Sequence, residues 1–267
     1  MMYAEKTETI PISKIEHMIE AVPWETVESL PSPRILNTHL HYSRLPKQAK
    51  EKSCKMVYVI RNPKDVAVSL YHHTVGIDLF EYKGKWEHFL PLFTHGKKKS
   101  TIRSTNELIK RLIGVQETCS SCSKPNISNR GGNQFQPNTI CWFEYVLEWE
   151  DIMARNPELP IHLIYYEDLK ENTLQELYRL GKFLGVENKD GIFEEISEKC
   201  QFDNMVKDKQ QYLAPNVAFL ADGFTFYRKG DIGDWKNWFT VAQNEMFDEI
   251  YSKKNNNSKH KFRYSKK

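Results

Sequence analysis

Two short apolar runs, each followed directly by a helical pattern, organise the hydrophobic positions of this chain. Residues 55–61 (KMVYVIR) are compact, apolar and rich in β-branched side chains, as expected of a buried strand. Asn62 and Pro63 follow, a favoured N-cap and a favoured first helical residue, and residues 64–73 then have a helical composition. The sequence therefore predicts a strand, an abrupt turn and a helix, which is half of a βαβ unit.

The second unit lies further along the chain. Residues 161–166 (IHLIYY) predict a strand, and Glu167, Asp168 and Asn172 are expected to form the turn after it. The helix that follows has one leucine stripe, at Leu174, Leu177, Leu180 and Leu184. The repeated order of strand and helix indicates a parallel sheet covered on both faces.

Two further helices complete the predicted fold. Residues 142–155 are aromatic and amphipathic, and Thr240 with Gln243 forms a capping box for a last helix that runs to about residue 251. The fold class is therefore α/β, a central parallel sheet flanked by helices. A length of 267 residues lies within the range of one such domain, so we predict a single domain over residues 1–267.

Residues 98–140 differ in composition from the rest of this domain. The stretch 119–139 has one Ile and one Phe in 21 residues. So few apolar side chains cannot offset the entropy lost on ordering. A structureless stretch of this length inside a compact domain predicts an insertion.

The formal charge of +3 is unevenly distributed. Residues 97–141 carry a net charge of +6 and the predicted basic tail, residues 252–267, carries +7, which leaves −10 on the remainder. The folded body is thus acidic. Anion binding must therefore depend on a few placed cations, and no nucleic-acid-binding motif supports a polynucleotide partner.

Cysteine usage and hydropathy exclude several classes of protein. The five cysteines are odd in number and irregularly spaced, which argues against a disulfide framework and favours a cytoplasmic location. Cys119 and Cys122 form a single C-x-x-C, too few ligands for a zinc site, so no metal is expected. No apolar run approaches the roughly 18–20 residues that span a bilayer, and residues 1–10 lack a signal-peptide core.

A candidate phosphate site follows the first strand. Arg61 ends that strand, the helix after it offers free N–H groups, and Ser69 adds a hydroxyl about two turns later. A guanidinium binds phosphate in a bidentate manner, and ligands of open α/β folds lie at this edge of the sheet. The alternative is that Arg61 pairs with Asp65 and Ser69 has no role.

Two weaker candidates complete the set. Arg228, Lys229 and Gly230 combine two cations with a glycine that allows close backbone approach, although an ordinary solvated loop has the same composition. His39 is a candidate general base near two phosphate-type clusters, although a lone histidine is more often structural.

Taken together, these motifs resemble the cytosolic sulfotransferase family. Residues 58–73 (YVIRNPKDVAVSLYHH) look like its 3′-phosphate-binding segment, and residues 228–240 (RKGDIGDWKNWFT) resemble its C-terminal signature. The segment PSPRILNTHL resembles the one that holds its catalytic histidine, and YYEDLKEN and KFR also match. The resemblance covers roughly residues 31–97 and 142–263 and implies a fold related to P-loop nucleotide kinases.

The resemblance implies transfer of a sulfuryl group from 3′-phosphoadenosine 5′-phosphosulfate (PAPS) to a small phenol, alcohol or amine. By motif position, His39 would take the acceptor proton. The nucleotide would be held by Arg61, Ser69, Tyr166, Cys200, Phe202, Arg228, Lys229 and Gly230. Among these, the arginines, Ser69, Lys229 and Gly230 would hold the 3′-phosphate, and the other three would contact the adenine side.

The family's dimerisation motif, K-x-x-x-T-V-x-x-x-E, also has a counterpart. It is matched by Lys236, Thr240, Val241 and Glu245. The resemblance therefore implies a homodimer.

Three departures accompany the resemblance. The family's first strand and its T-Y-P-K-S-G-T-T-W loop, which cradles the 5′-phosphosulfate, have no match in residues 1–33, and Asn37 stands where a lysine often precedes the histidine. The third is the insertion at 98–140. Loss of a single hydrogen-bond donor or charge aimed at the transition state typically lowers the reaction rate by a factor of about 10²–10³. The missing loop favours the alternative of an impaired or inactive relative that keeps partial nucleotide binding and dimerisation, whereas the intact His39 argues against it. The missing N-terminal block and the insertion suggest a partial or alternatively spliced form.

Overall fold

The computed structural model describes residues 17–20, 22–95, 142–213 and 221–266. The predicted insertion at 98–140 lies outside the described residues. The strands are β1 (Met56–Ile60) and β2 (Ile161–Tyr165). The α-helices are α1 (Trp24–Ser29), α2 (Lys47–Glu51), α3 (Pro63–Gly76), α4 (Trp86–His95), α5 (Trp142–Arg155), α6 (Tyr166–Glu171), α7 (Thr173–Leu184), α8 (Ile192–Lys199), α9 (Phe202–Leu213) and α10 (Val241–Lys254).

The two strands form a parallel pair whose carboxyl ends lie together. The register runs from Met56 beside Ile161 to Ile60 beside Tyr165. Since parallel strands end at the same edge of a sheet, the residues that follow β1 and β2 meet there. The prediction of an α/β fold with a parallel sheet flanked by helices is confirmed.

Two aromatic clusters hold the helices on this sheet. The larger one packs α3, α4, α5 and α10 around Ala67, Leu90, Phe143 and Phe247. The second places Tyr58 of β1 against Trp149 of α5, with ring centroids 5.1 Å apart in a stacked arrangement. Burial of these large side chains is the main source of stability and fixes the strand ends in space.

The turn predicted after β2 is wrong, because the chain enters α6 at once. Glu167 is buried, and its Oε1 accepts hydrogen bonds from the Asn62 backbone N–H at 2.8 Å and from Asn62 Nδ2 at 3.0 Å. Burial raises the pKa of Glu167. A tertiary contact with the turn after β1 therefore stabilises a polar helix that local sequence alone does not predict.

The segment after α10 packs on the body of the domain. Tyr165 and His260 share a hydrogen bond of 2.8 Å, and Phe262 lies in contact with both aromatic clusters. Arg263 Nη1 lies 2.7 Å from Asp168 Oδ1, and Lys266 Nζ lies 2.7 Å from Asp231 Oδ1. Part of the positive charge of residues 252–267 is thus paired with the acidic body.

Candidate active site

A buried carboxylate joins the start of α3 to the loop before α10. Asn62 caps α3, since its Oδ1 accepts from the Asp65 backbone N–H at 2.9 Å. The Asp65 carboxylate accepts from Asn62 Nδ2 at 2.8 Å and from the backbone N–H groups of Gly233 and Trp235 at 2.8 and 3.0 Å. Asp65 therefore fixes residues 231–235 at the carboxyl end of β1.

Arg61, the first residue after β1, lies against the same loop. Its Nη2 donates to the backbone carbonyl of Asp231 at 2.7 Å and lies 3.4 Å from Asp65 Oδ2. Its guanidinium lies 4.3 Å from the ring centroid of Tyr166, the first residue after β2. The pairing of Arg61 with Asp65, weighed as an alternative, is present, and Nε stays buried without a hydrogen-bond partner among the described residues.

Arg228 and Lys229 converge on one carboxylate. Arg228 Nη1 lies 2.5 Å from Asp234 Oδ2, and Lys229 Nζ lies 2.6 Å from Asp234 Oδ1. Burial opposes ionisation of Asp234, but the hydrogen bonds from Lys229, Asn237 and Arg228 outweigh it and lower its pKa to about 2. Two cations share one anion, so these three side chains together carry a net charge of +1.

Gly230 and Phe202 lie in direct contact. Gly230 has a φ of +60°, and a Cβ at this position would lie 2.1 Å from Phe202 Cδ2. A cavity of about 650 Å³ opens beside them, lined by Lys170, Lys229 and Lys266 and also by Glu171 and Asp231. Lys229 and Lys266 each pair with a carboxylate. An aromatic ring beside lysine ammonium groups is a setting that suits a nucleotide with phosphate groups.

The structure thus brings together six residues selected from the sequence. We call them the basic cluster: Arg61, Tyr166, Phe202, Arg228, Lys229 and Gly230. Ser69 is exposed on α3, and Cys200 is exposed at the end of α8, two residues before Phe202. Asp234, Lys170 and Lys266 were not selected. Asp234 and Lys170 lie within the matched segments 228–240 and 165–172, but nothing in their spacing marks them as site residues.

His39 is paired outside the basic cluster. Its backbone N–H donates to Glu20 Oε1 at 2.6 Å, and its Nδ1 lies 3.1 Å from the same oxygen. The side chain of His39 is 64% exposed. Sequence reasoning selected the histidine from its motif but gave no signal for the glutamate, which lies 19 residues earlier.

Two classes of feature are absent from the part of the chain that the structure describes. None of its helices combines the length and the hydropathy needed to cross a bilayer. Nor do three or more His, Cys, Asp or Glu side chains come together there in a way that could hold a metal ion.

Replacing Gly230 by Ala is expected to displace the Phe202 ring. The positive φ costs about 1 kcal/mol for any L side chain, and overlap with the ring adds about 1–3 kcal/mol. Gly223→Ala is the matched control, since Gly223 has a φ of +74° but open space around its Cβ position. Urea unfolding measures both losses, and equal losses in the two variants would contradict the contact.

The Asp234 ion pairs are expected to make the free energy of unfolding depend on pH in the acidic range. The pKa of Asp234 is about 2 in the fold against an ordinary 3.8, so its contribution is complete above about pH 4 and is lost as the pH falls toward 2. That difference corresponds to about 2 kcal/mol. We expect Asp234→Asn to reduce stability at neutral pH and to flatten its decline between about pH 4 and 2. Parallel unfolding curves for variant and wild type across this range would contradict the pairing.

Fold and site together define a sulfotransferase-type α/β protein. The Sulfotransferase domain family matches residues 4–259, so the chain belongs to the sulfotransferase family. The chain is 33% identical over 261 residues to dog sulfotransferase 1B1, covering 96% of this chain and 74% of the relative. It is 31% identical over 232 residues to human sulfotransferase 1C2, covering 86% of this chain and 64% of the relative. The resemblance deduced from the motifs is confirmed.

Solved structures agree with the fold. The crystal structure of mouse sulfotransferase SULT7A1 complexed with PAP matches with a TM-score of 0.63 and 28% identity, over 88% of this chain and 69% of that chain. Retinol dehydratase, in complex with androsterone and inactive cofactor PAP, matches with a TM-score of 0.65 and 21% identity, over 89% of this chain and 58% of that chain. At this identity the match supports the fold alone. The chain spans about two thirds of the length of several of these relatives.

Proposed function

We propose that this protein transfers a sulfuryl group from PAPS to a hydroxyl or amine of a small acceptor. The observation that carries the proposal is the basic cluster, assembled where β1 and β2 end. The family match and the PAP complex of the mouse relative favour this reaction over other uses of an anion site. The comparisons give no support to the alternative of an inactive relative.

The basic cluster fits the nucleotide product 3′-phosphoadenosine 5′-phosphate (PAP). Phe202 offers a ring face for the adenine, with Cys200 and Tyr166 on the adenine side. Arg61, Arg228 and Lys229 supply three cations for the 3′-phosphate, and we assign it the exposed hydroxyl of Ser69 on α3 as well. Gly230 lets the backbone approach because it carries no side chain.

His39 would serve as the general base. An imidazole with a lone pair takes the proton of an acceptor hydroxyl near neutral pH. Its exposed side chain leaves the ring accessible to an acceptor. No metal enters this scheme, since PAPS carries the activated sulfuryl group itself, and the cysteine usage supports a cytoplasmic location.

We further propose a homodimer through the motif at the start of α10. Its residues Lys236, Thr240, Val241 and Glu245 are all exposed. Val241 is 76% exposed, the most exposed of the large apolar side chains that the structure describes, so a second copy could bury it. Sedimentation of Val241→Asp beside Ile35→Asp, an exposed apolar residue elsewhere, tests this. Wild type and the Ile35 variant should sediment as dimers and the Val241 variant as a monomer; three equal profiles would contradict it.

The proposed reaction is tested by binding and turnover on the same sample. PAP is titrated by calorimetry, and labelled PAPS is then offered with a panel of phenols, alcohols and amines. PAP binding with turnover above background is the expected result. Binding without turnover would restore the inactive alternative, and the absence of both would overturn the proposal.

A further inference from the structure

The side chain of Glu20 contacts His39, and the proposed function gives this contact no role. One oxygen of Glu20, Oε1, accepts the His39 backbone N–H at 2.6 Å and lies 3.1 Å from Nδ1 of the same residue. The Glu20 side chain is only 17% exposed, while that of His39 is 64% exposed. The Glu20 carboxylate is therefore largely shielded from water, whereas most of the His39 side chain is open to solvent.

The charge of Glu20 defines the tautomer of His39. Burial opposes ionisation of Glu20, but hydrogen bonds from the ring and backbone of His39 and from Thr38 outweigh it and lower its pKa below the usual value. An ionised carboxylate only accepts hydrogen bonds. In neutral His39, Nδ1 must then carry the proton and Nε2 the lone pair.

We propose that Glu20 is a positioning residue for His39, holding Nδ1–H so that Nε2 acts as the base. The inference rests on the proposed function. Nε2 takes the proton of the acceptor hydroxyl as its oxygen bonds to sulfur, and the bond between sulfur and the 5′-phosphate oxygen breaks, its electron pair leaving with PAP. The new imidazolium keeps both ring protons, and the Glu20 carboxylate stabilises its charge without taking a proton.

A second histidine–carboxylate pair in the chain shows what a structural pair looks like. His41 Nδ1 contacts Glu148 Oε2, and the His41 side chain is 16% exposed. Its ring also packs edge-on against Tyr145 with centroids 5.4 Å apart, and Glu148 accepts the Ser43 backbone N–H at 2.8 Å. The His41 ring is packed against Tyr145 and Glu148 is bonded to Ser43, so both residues are held in place. The ring of His39 stays accessible.

The test measures the tautomer of His39 separately from activity. The ¹⁵N NMR signals of its two imidazole nitrogens, assigned with His39→Gln, are compared between wild type and Glu20→Gln. Gln can donate to Nδ1 as well as accept from it, so the share of neutral His39 that carries its proton on Nδ1 is expected to fall. The kcat/KM for the acceptor should fall about 10- to 100-fold. Glu87→Gln, beside the exposed His88, is the control and should leave both quantities unchanged.

Each outcome bears on the proposal. A smaller share of the Nδ1–H tautomer together with a lower kcat/KM supports it. An unchanged tautomer in Glu20→Gln overturns the pairing itself. A changed tautomer with an unchanged kcat/KM overturns the role in catalysis. Full activity in His39→Gln would show that the proposed base is wrong and would overturn the inference with it, while the NMR shift would still report whether the pair exists.

Discussion

Asp65→Ala is expected to destabilise the protein by about 3–5 kcal/mol and to abolish PAP binding. The carboxylate is buried and accepts from the backbone N–H groups of Gly233 and Trp235. Removing it leaves these donors without their acceptor and leaves Arg61 without its nearest anion. The loop that carries the basic cluster would then separate from α3.

Urea unfolding followed by Trp fluorescence measures the loss, and calorimetry measures PAP binding. Asp78→Ala is the matched control, because Asp78 is exposed and pairs with Lys83 on the surface. That variant should lose less than about 1 kcal/mol. A similarly small loss in Asp65→Ala would show that the buried carboxylate does not hold the loop.

His39→Ala is expected to lower kcat about 10²- to 10⁴-fold while PAP affinity stays unchanged. The general base is lost, but none of the hydrogen bonds, ion pairs and ring contacts that assemble the basic cluster involves His39. Stability should change little, because the ring is exposed. Initial rates with labelled PAPS and a saturating acceptor measure the effect.

His88→Ala is the control for this substitution, since His88 is equally exposed and pairs with a glutamate on the surface of α4. It should retain the wild-type rate. A His39→Ala variant as active as His88→Ala would exclude His39 as the base, and a parallel loss of PAP affinity would indicate a binding role instead.

Much of the fold was predictable, because local signals and tertiary packing agree there. The run KMVYVIR followed by Asn62 and Pro63 predicts β1 and α3, and both form with Asn62 as the cap. The helix at 142–155 and the capping box of Thr240 with Gln243 also appear as predicted. The turn predicted after β2 was wrong, because a buried glutamate bonded to Asn62 stabilises α6.

The candidate site was predictable only in part. Arg61 and Tyr166 follow strands directly, so their meeting at one edge is a consequence of parallel pairing. The contacts that orient the cations could not be deduced, because Asp65 reaches N–H groups 168 and 170 residues away. Glu20 likewise contacts His39 through a loop without a periodic pattern, so no spacing rule selects it.

The central claim is that the basic cluster binds the nucleotide, and calorimetric titration with PAP tests it most directly. Wild-type protein and Arg228→Ala are compared with Arg155→Ala, which removes an exposed arginine from the end of α5. We expect the wild type and the Arg155 variant to bind PAP equally, and Arg228→Ala to bind about 10- to 100-fold more weakly. Equal affinities in all three proteins, or no binding by the wild type, would contradict the claim.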